Sequence, residues 1–213
     1  MATIVIIGAS RGIGLETVKA GLAAGHQVRA LARSAASIPI DDPRLQKITG
    51  SALSREVVET ALEGADAVLQ TIGVTSPREL MFGTTLFSNS TRILIDVMEA
   101  AGPKRLIAVT GIGAGNSRGR TGAVYDYLLF PLLLQRIYAD KDVAEDMISK
   151  STLQWTIVRP GGLTSGAATG RYRVLPDMKD WRFGFISRAD VADFLIKQVD
   201  DLALVHKTPL LIS

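Results

Sequence analysis

The apolar run Ile4-Val5-Ile6-Ile7 stops abruptly at Gly8-Ala9-Ser10-Arg11-Gly12-Ile13-Gly14, and an amphipathic stretch follows to about Ala24. Strand, glycine turn and helix in that order form the context in which such a turn holds a dinucleotide. Each glycine has a physical task. Gly8 permits the tight turn off the strand, Gly12 lets a pyrophosphate approach the backbone, and Gly14 lets the helix pack closely on the strand. The helix N-terminus offers free N–H groups and a partial positive charge to phosphates. Ser10, Arg11 and Ile13 belong to the same phosphate-facing turn. A turn that used glycine for geometry alone would not need three of them around a Ser-Arg pair.

The chain has 213 residues, enough for one sizeable core, and residues 1–213 read as a single domain. Hydrophobic residues make up 47%, yet no apolar run reaches the roughly 20 residues of a spanning helix. The chain starts straight into a strand without a basic leader, so a cytoplasmic protein with no membrane partner is expected. The absence of cysteine excludes disulfides, thiolate catalysis and cysteine metal sites. His26 and His206 lack ligand-like spacing and read as surface or loop residues, so no metal is expected. A net charge of +3 is too small and dispersed to imply nucleic acid.

Strand and helix signals alternate throughout, which predicts an α/β fold with a doubly wound parallel sheet flanked by helices. Strands are expected over residues 27–32, 45–48, 67–72, 105–109 and 156–158, with short late strands at 171–174 and 210–212. Helices are expected over 54–62 with Ser54 as N-cap, 86–101 stopped by Gly102-Pro103, 124–150 with a kink at Pro131, and 187–199 capped by Ser187 and Asp190. The late elements form a small C-terminal extension on the substrate side.

The end of the second strand meets the adenosine ribose in such a sheet. An acid there favours a free 2′-hydroxyl, a base a 2′-phosphate. This chain has Leu31-Ala32-Arg33-Ser34 and no acid. Arg33 can fork onto a phosphate, Ser34 can add a hydrogen bond, and Arg11 projects towards the same corner. The expected cofactor is NADP. The remaining strand ends are small and polar: Gly50-Ser51-Ala52, Thr71-Ile72-Gly73, Thr110-Gly111-Ile112-Gly113 and Arg159-Pro160-Gly161-Gly162. Ser51, Ala52, Thr71, Ile72, Gly73, Thr110, Pro160, Gly161 and Gly162 are therefore candidates to line a flat cofactor.

The G-x-x-x-G-x-G spacing resembles the short-chain dehydrogenase/reductase superfamily. Lys141, Glu145, Arg159-Pro160-Gly161 and the segment Gly170-Arg171-Tyr172-Arg173-Val174 resemble its atypical members, the biliverdin reductase B/flavin reductase-like and NmrA-like proteins. The resemblance spans nearly the whole chain and implies a Rossmann-like fold. Typical members use Tyr-x-x-x-Lys, the tyrosine as general acid and the lysine on the ribose. Here Lys141 is in place, but the position four residues earlier is Ile137, and the nearest tyrosine, Tyr138, is three residues away. The candidate catalytic residues are thus Thr110, Lys141 and Tyr138, with Tyr138 at an altered helical angle. Lys141 also has Glu145 one turn on, as an alternative salt-bridge partner.

On the substrate side, the loop 116–122 leads into an apolar block around residues 125–134, which lines a pocket, forms an interface or packs in the core. Arg171, Arg173, Lys179, Trp181, Arg182 and Phe183 mix charge and rings, as a receiver of a planar acidic substrate would. The reading that follows is an NADP-dependent oxidoreductase acting on a small-molecule carbonyl, quinone, flavin or tetrapyrrole-like acceptor. A non-catalytic NADP sensor of the NmrA type, with a homodimer or regulatory protein partner, is the alternative, and an epimerase or dehydratase the weaker one.

Overall fold

The computed structural model describes residues 1–74, 76, 79, 82–115 and 135–213. The loop 116–122, the apolar block 125–134 and the Pro131 kink lie outside the described residues. Strand β1 (Thr3–Ile7) runs into helix α1 (Gly12–Ala23), followed by β2 (Gln27–Ala32), β3 (Leu45–Thr49), α2 (Arg55–Leu62) and β4 (Ala67–Gln70). Then come α3 (Leu86–Ala101), β5 (Arg105–Val109), α4 (Gln135–Lys150), β6 (Gln154–Pro160), β7 (Gly162–Thr164) and β8 (Arg173–Leu175). Strand β9 (Phe185–Ser187), α5 (Arg188–Lys197) and β10 (Leu210–Ile212) complete the order.

The main sheet runs β3-β2-β1-β4-β5-β6-β10-β8, parallel except for β8, which pairs antiparallel with β10. Alternation along β1 decides which helices cover which face. Ile4 and Ile6 pack with Val18 and Leu22 of α1 and Phe194 and Leu195 of α5. Val5 and Ile7 face Val58 of α2, Leu94 and Met98 of α3, and Ile148 of α4. Strand order reverses between β1 and β4, and ligands of open α/β sheets bind in the crevice at such a reversal.

Four elements depart from expectation. Strand β4 stops at Gln70, and beyond it the Thr71 N–H and hydroxyl both donate to the Ile7 carbonyl. Strand β6 is longer than expected, 154–160, because β10 pairs with Arg159 and Pro160 on its far side. Arg159 and Pro160 therefore lie inside the strand rather than after it. The strand expected at 171–174 begins at Arg173, where β10 supplies its partner. Ser54 is the N-cap of α2, but its side chain makes no capping bond. His26 is in a loop, yet it is 5% exposed, and its Nδ1 accepts from the Ala2 N–H. The Ser187 cap forms as expected, its hydroxyl accepting from the Asp190 N–H. Among the described residues no helix is long and apolar enough to cross a membrane, and none of their acidic or histidine side chains cluster as a metal site would require.

A cationic groove at the sheet reversal

Gly8 has φ +88, and a Cβ there would lie 2.9 Å from the Thr71 carbonyl, so the turn off β1 and the chain leaving β4 touch backbone to backbone. Gly14 is packed as closely: a Cβ would overlap the Gly8 carbonyl and lie 2.7 Å from the Thr71 hydroxyl. Gly14 thus holds the helix on the strand and does not itself line the groove. Gly12, at φ +57, borders open space, with Arg188 Nε 4.0 Å from its Cβ position. Arg11 is the N-cap of α1 without a side-chain capping bond, and the first turn contains no acid. An acid would stabilise that helix end, so its absence leaves the N–H groups for an external anion.

A groove of about 400 Å³ opens in front of this turn. Gly8, Ser10, Arg11, Gly12 and Ile13 line one part, and Arg33 and Ser34 the part beyond β2. Ser51, Ala52, Thr71, Ile72 and Gly73 line it at the ends of β3 and β4, and Thr110, Lys141 and Pro160 at the far end. Gly161 and Gly162 do not line it. A Cβ on Gly161 would overlap the Gly184 carbonyl, and one on Gly162 would lie 2.6 Å from the Phe185 ring, so these glycines admit β9 beside β7. Four lining side chains are cationic, Arg11, Arg33, Lys141 and Arg188, and none among the described residues is acidic. Arg188, with Val74 and Leu86, escaped the sequence reading. The available signal was a cation at the first position of a helix, where the dipole disfavours it.

The far end is a hydrogen-bonded network. Thr110 donates its hydroxyl to Glu145 Oε1 at 2.6 Å, so that proton is committed to a carboxylate. Arg159 donates to the same carboxylate from Nε at 3.1 Å and Nη2 at 2.5 Å, and the side chains of this pair are 3% and 6% exposed. Glu145 thus pairs with Arg159, while Lys141 Nζ donates to the Thr110 carbonyl at 2.6 Å. The Lys141 ammonium lies 4.7 Å from the Tyr138 ring centre and 5.1 Å from that of Phe87. Burial pushes its pKa down to about 8, partly offset by the Glu145 charge. Tyr138 does not line the groove; a Cβ on Gly111 would lie 3.1 Å from its hydroxyl. Ile137, at the place of the usual tyrosine, is 5% exposed and packs with Phe87 and Ala144. Asp140 is used structurally, accepting from the Phe87 N–H at 2.8 Å and so capping α3.

Of the mixed basic and aromatic set, Trp181 belongs to the core. Trp181 is 9% exposed, packs with Ile112, Leu210 and Ile212, and donates Nε1–H to the Leu175 carbonyl. The Arg159 guanidinium lies 5.3 Å from its ring centre. Arg171, Arg173, Lys179, Arg182 and Phe183 are exposed.

Residues 8–202 match the family described as NAD(P)H-binding. Among curated relatives, the "Uncharacterized sugar epimerase YhfK" of Bacillus subtilis is 32% identical over 150 residues, which is 70% of this chain and 63% of YhfK. The chain therefore spans less than two thirds of that relative's length. Among solved structures, ChuY of Escherichia coli O157:H7, an anaerobilin reductase, superposes with a TM-score of 0.78 at 28% identity, covering 99% of this chain and 96% of ChuY. A wide-type short-chain dehydrogenase/reductase of Veillonella parvula, solved in complex with NADP, superposes with a TM-score of 0.83 over 100% of this chain and 94% of its own. At 20% identity that likeness is one of fold.

Proposed function

The chain belongs to the NAD(P)H-binding family and has an oxidoreductase-like fold, and from that premise we propose that it is an NADPH-dependent reductase of a planar conjugated acceptor. The observation that carries the NADPH preference is that the described residues lining the groove include four cations and no acid, with Arg33 and Ser34 where an acid would read a free ribose. In this reading the uncapped start of α1 holds the pyrophosphate, and Arg33, Ser34 and Arg11 hold the 2′-phosphate. Lys141 holds the nicotinamide ribose, fixed from below by the Thr110 carbonyl. NADPH, when bound, supplies the hydride. The protein's part is to orient the donor at the far end.

With Ile137 in the core and Tyr138 off the groove, the acceptor takes its proton from solvent. That suits a quinone, a flavin or a tetrapyrrole-like acceptor better than a simple carbonyl. ChuY, similar over nearly its whole length, supports the tetrapyrrole class. An exposed apolar side chain, Leu163, lines the groove. The same proposal makes the protein a single-domain cytoplasmic enzyme with a small-molecule substrate and neither nucleic acid nor membrane as partner.

One observation favours a second reading. The position of the general acid is filled by a buried Ile137, which suits a non-catalytic NADPH sensor acting as a homodimer or on a regulatory protein partner. Following NADPH absorbance against quinones, flavins, linear tetrapyrroles and aldehydes separates the two. Turnover with a planar acceptor supports the reductase. Tight NADPH binding without turnover on any acceptor moves the protein to the sensor class.

A further inference from the structure

Arg188 stands at the first position of α5, half-buried, on the side of the groove facing the glycine turn. The position is electrostatically poor, since the α5 dipole places its positive end there. Nη1 donates to the Thr164 carbonyl at 3.0 Å and to the Ser165 hydroxyl at 3.2 Å, at the end of β7. Nε and Nη2 have no hydrogen-bond partner among the described residues, and no described carboxylate pairs with the guanidinium. The group it approaches is Gly12, whose missing Cβ leaves 4.0 Å to Nε. A fixed cation with spare donors thus faces the turn that opens the α1 N-terminus.

We propose that Arg188 is a pyrophosphate ligand, and that through Thr164 and Ser165 it couples dinucleotide binding to the β7 end on the substrate side. This rests on a dinucleotide occupying the groove, but not on its being NADPH rather than NADH. The pyrophosphate is common to both cofactors, while the 2′-phosphate belongs to one. A pyrophosphate ligand therefore affects both equally.

Calorimetric titration of NADPH and NADH into wild type and Arg188→Gln tests this. Glutamine keeps a donor for the Thr164 carbonyl but removes the charge. Both affinities are expected to fall by the same factor, roughly tenfold to a hundredfold, as for loss of a charge-assisted hydrogen bond. Arg188→Lys should retain part of the affinity, and thermal unfolding of the cofactor-free variants should show intact folding. Hydrogen exchange across residues 162–166 should slow on NADPH addition in wild type and much less in Arg188→Gln. Unchanged affinities in a folded Arg188→Gln would overturn the proposal alone. A loss confined to NADPH would also overturn it, because Arg188 would then read the 2′-phosphate. Wild type that binds neither cofactor removes the dinucleotide reading and this one with it.

Discussion

Thr110 fastens two successive turns of α4 to the end of β5: its hydroxyl donates to the Glu145 carboxylate and its carbonyl accepts from Lys141, both at 2.6 Å. The threonine hydroxyl is thereby committed to a carboxylate, while the backbone carbonyl of the same residue supports the lysine. Its consequences for stability and for cofactor binding are separable.

Thr110→Val removes one donor from a carboxylate that retains Arg159. A cost of about 1.5–3 kcal/mol is expected in urea unfolding, with Thr110→Ser close to wild type. NADPH affinity should change little, because the valine keeps the carbonyl that holds Lys141. Equal stability of all three proteins would mean that the Thr110–Glu145 hydrogen bond contributes nothing.

Glu145→Leu leaves the buried Arg159 without its carboxylate, and removal of one partner of a buried pair costs about 3–5 kcal/mol. The double variant Glu145→Leu with Arg159→Met should recover much of this loss. A double-mutant cycle reads the coupling. Additive effects would show that the two side chains do not act as a pair.

Burial holds the Lys141 pKa at about 8 in the folded chain, below the roughly 10.4 of a free lysine. Between these values the unfolded chain binds more protons than the folded one. This residue's contribution to stability therefore rises with pH across that window. The difference in unfolding free energy between wild type and Lys141→Met should follow this slope. NADPH affinity should move the opposite way, weakening above about pH 8 as the ammonium loses its charge, with no such step in Lys141→Met. A pH-independent affinity in wild type would remove Lys141 from the ribose contacts.

Arg33→Ala should lower NADPH affinity roughly tenfold to a hundredfold and leave NADH affinity unchanged. Fluorescence titration of both cofactors measures this. Equal wild-type affinities for NADPH and NADH would overturn the assignment of Arg33 to a 2′-phosphate.

Gly12→Ala and Gly14→Ala should fail differently. At Gly12 a methyl group has space but sits at φ +57, so the fold survives at a cost of about 1–2 kcal/mol while cofactor binding is lost. At Gly14 the methyl group overlaps the Gly8 carbonyl, so α1 must move off β1 and folding itself suffers. Circular dichroism with cofactor titration distinguishes the two. Normal NADPH binding by Gly12→Ala would show that the turn does not hold the pyrophosphate.

The amino-acid sequence alone determined the alternation of elements, the glycine turn and the helix ends at Gly102 and Ser187, because these depend on neighbours a few residues apart. It also placed small residues at successive strand ends, where a parallel sheet opens its crevice. The tertiary structure alone decided what each polar side chain does there. The Thr110 hydroxyl meets a carboxylate 35 residues on, Trp181 becomes core against β10, and Gly161 and Gly162 serve the packing of β9. Arg188 reaches the groove because α5 packs beside α1 on one face of the sheet. Periodicity fixes which face a residue takes within its own element; which partner waits on that face depends on how distant elements stack, and a hydrogen bond or ion pair commits only when both arrive.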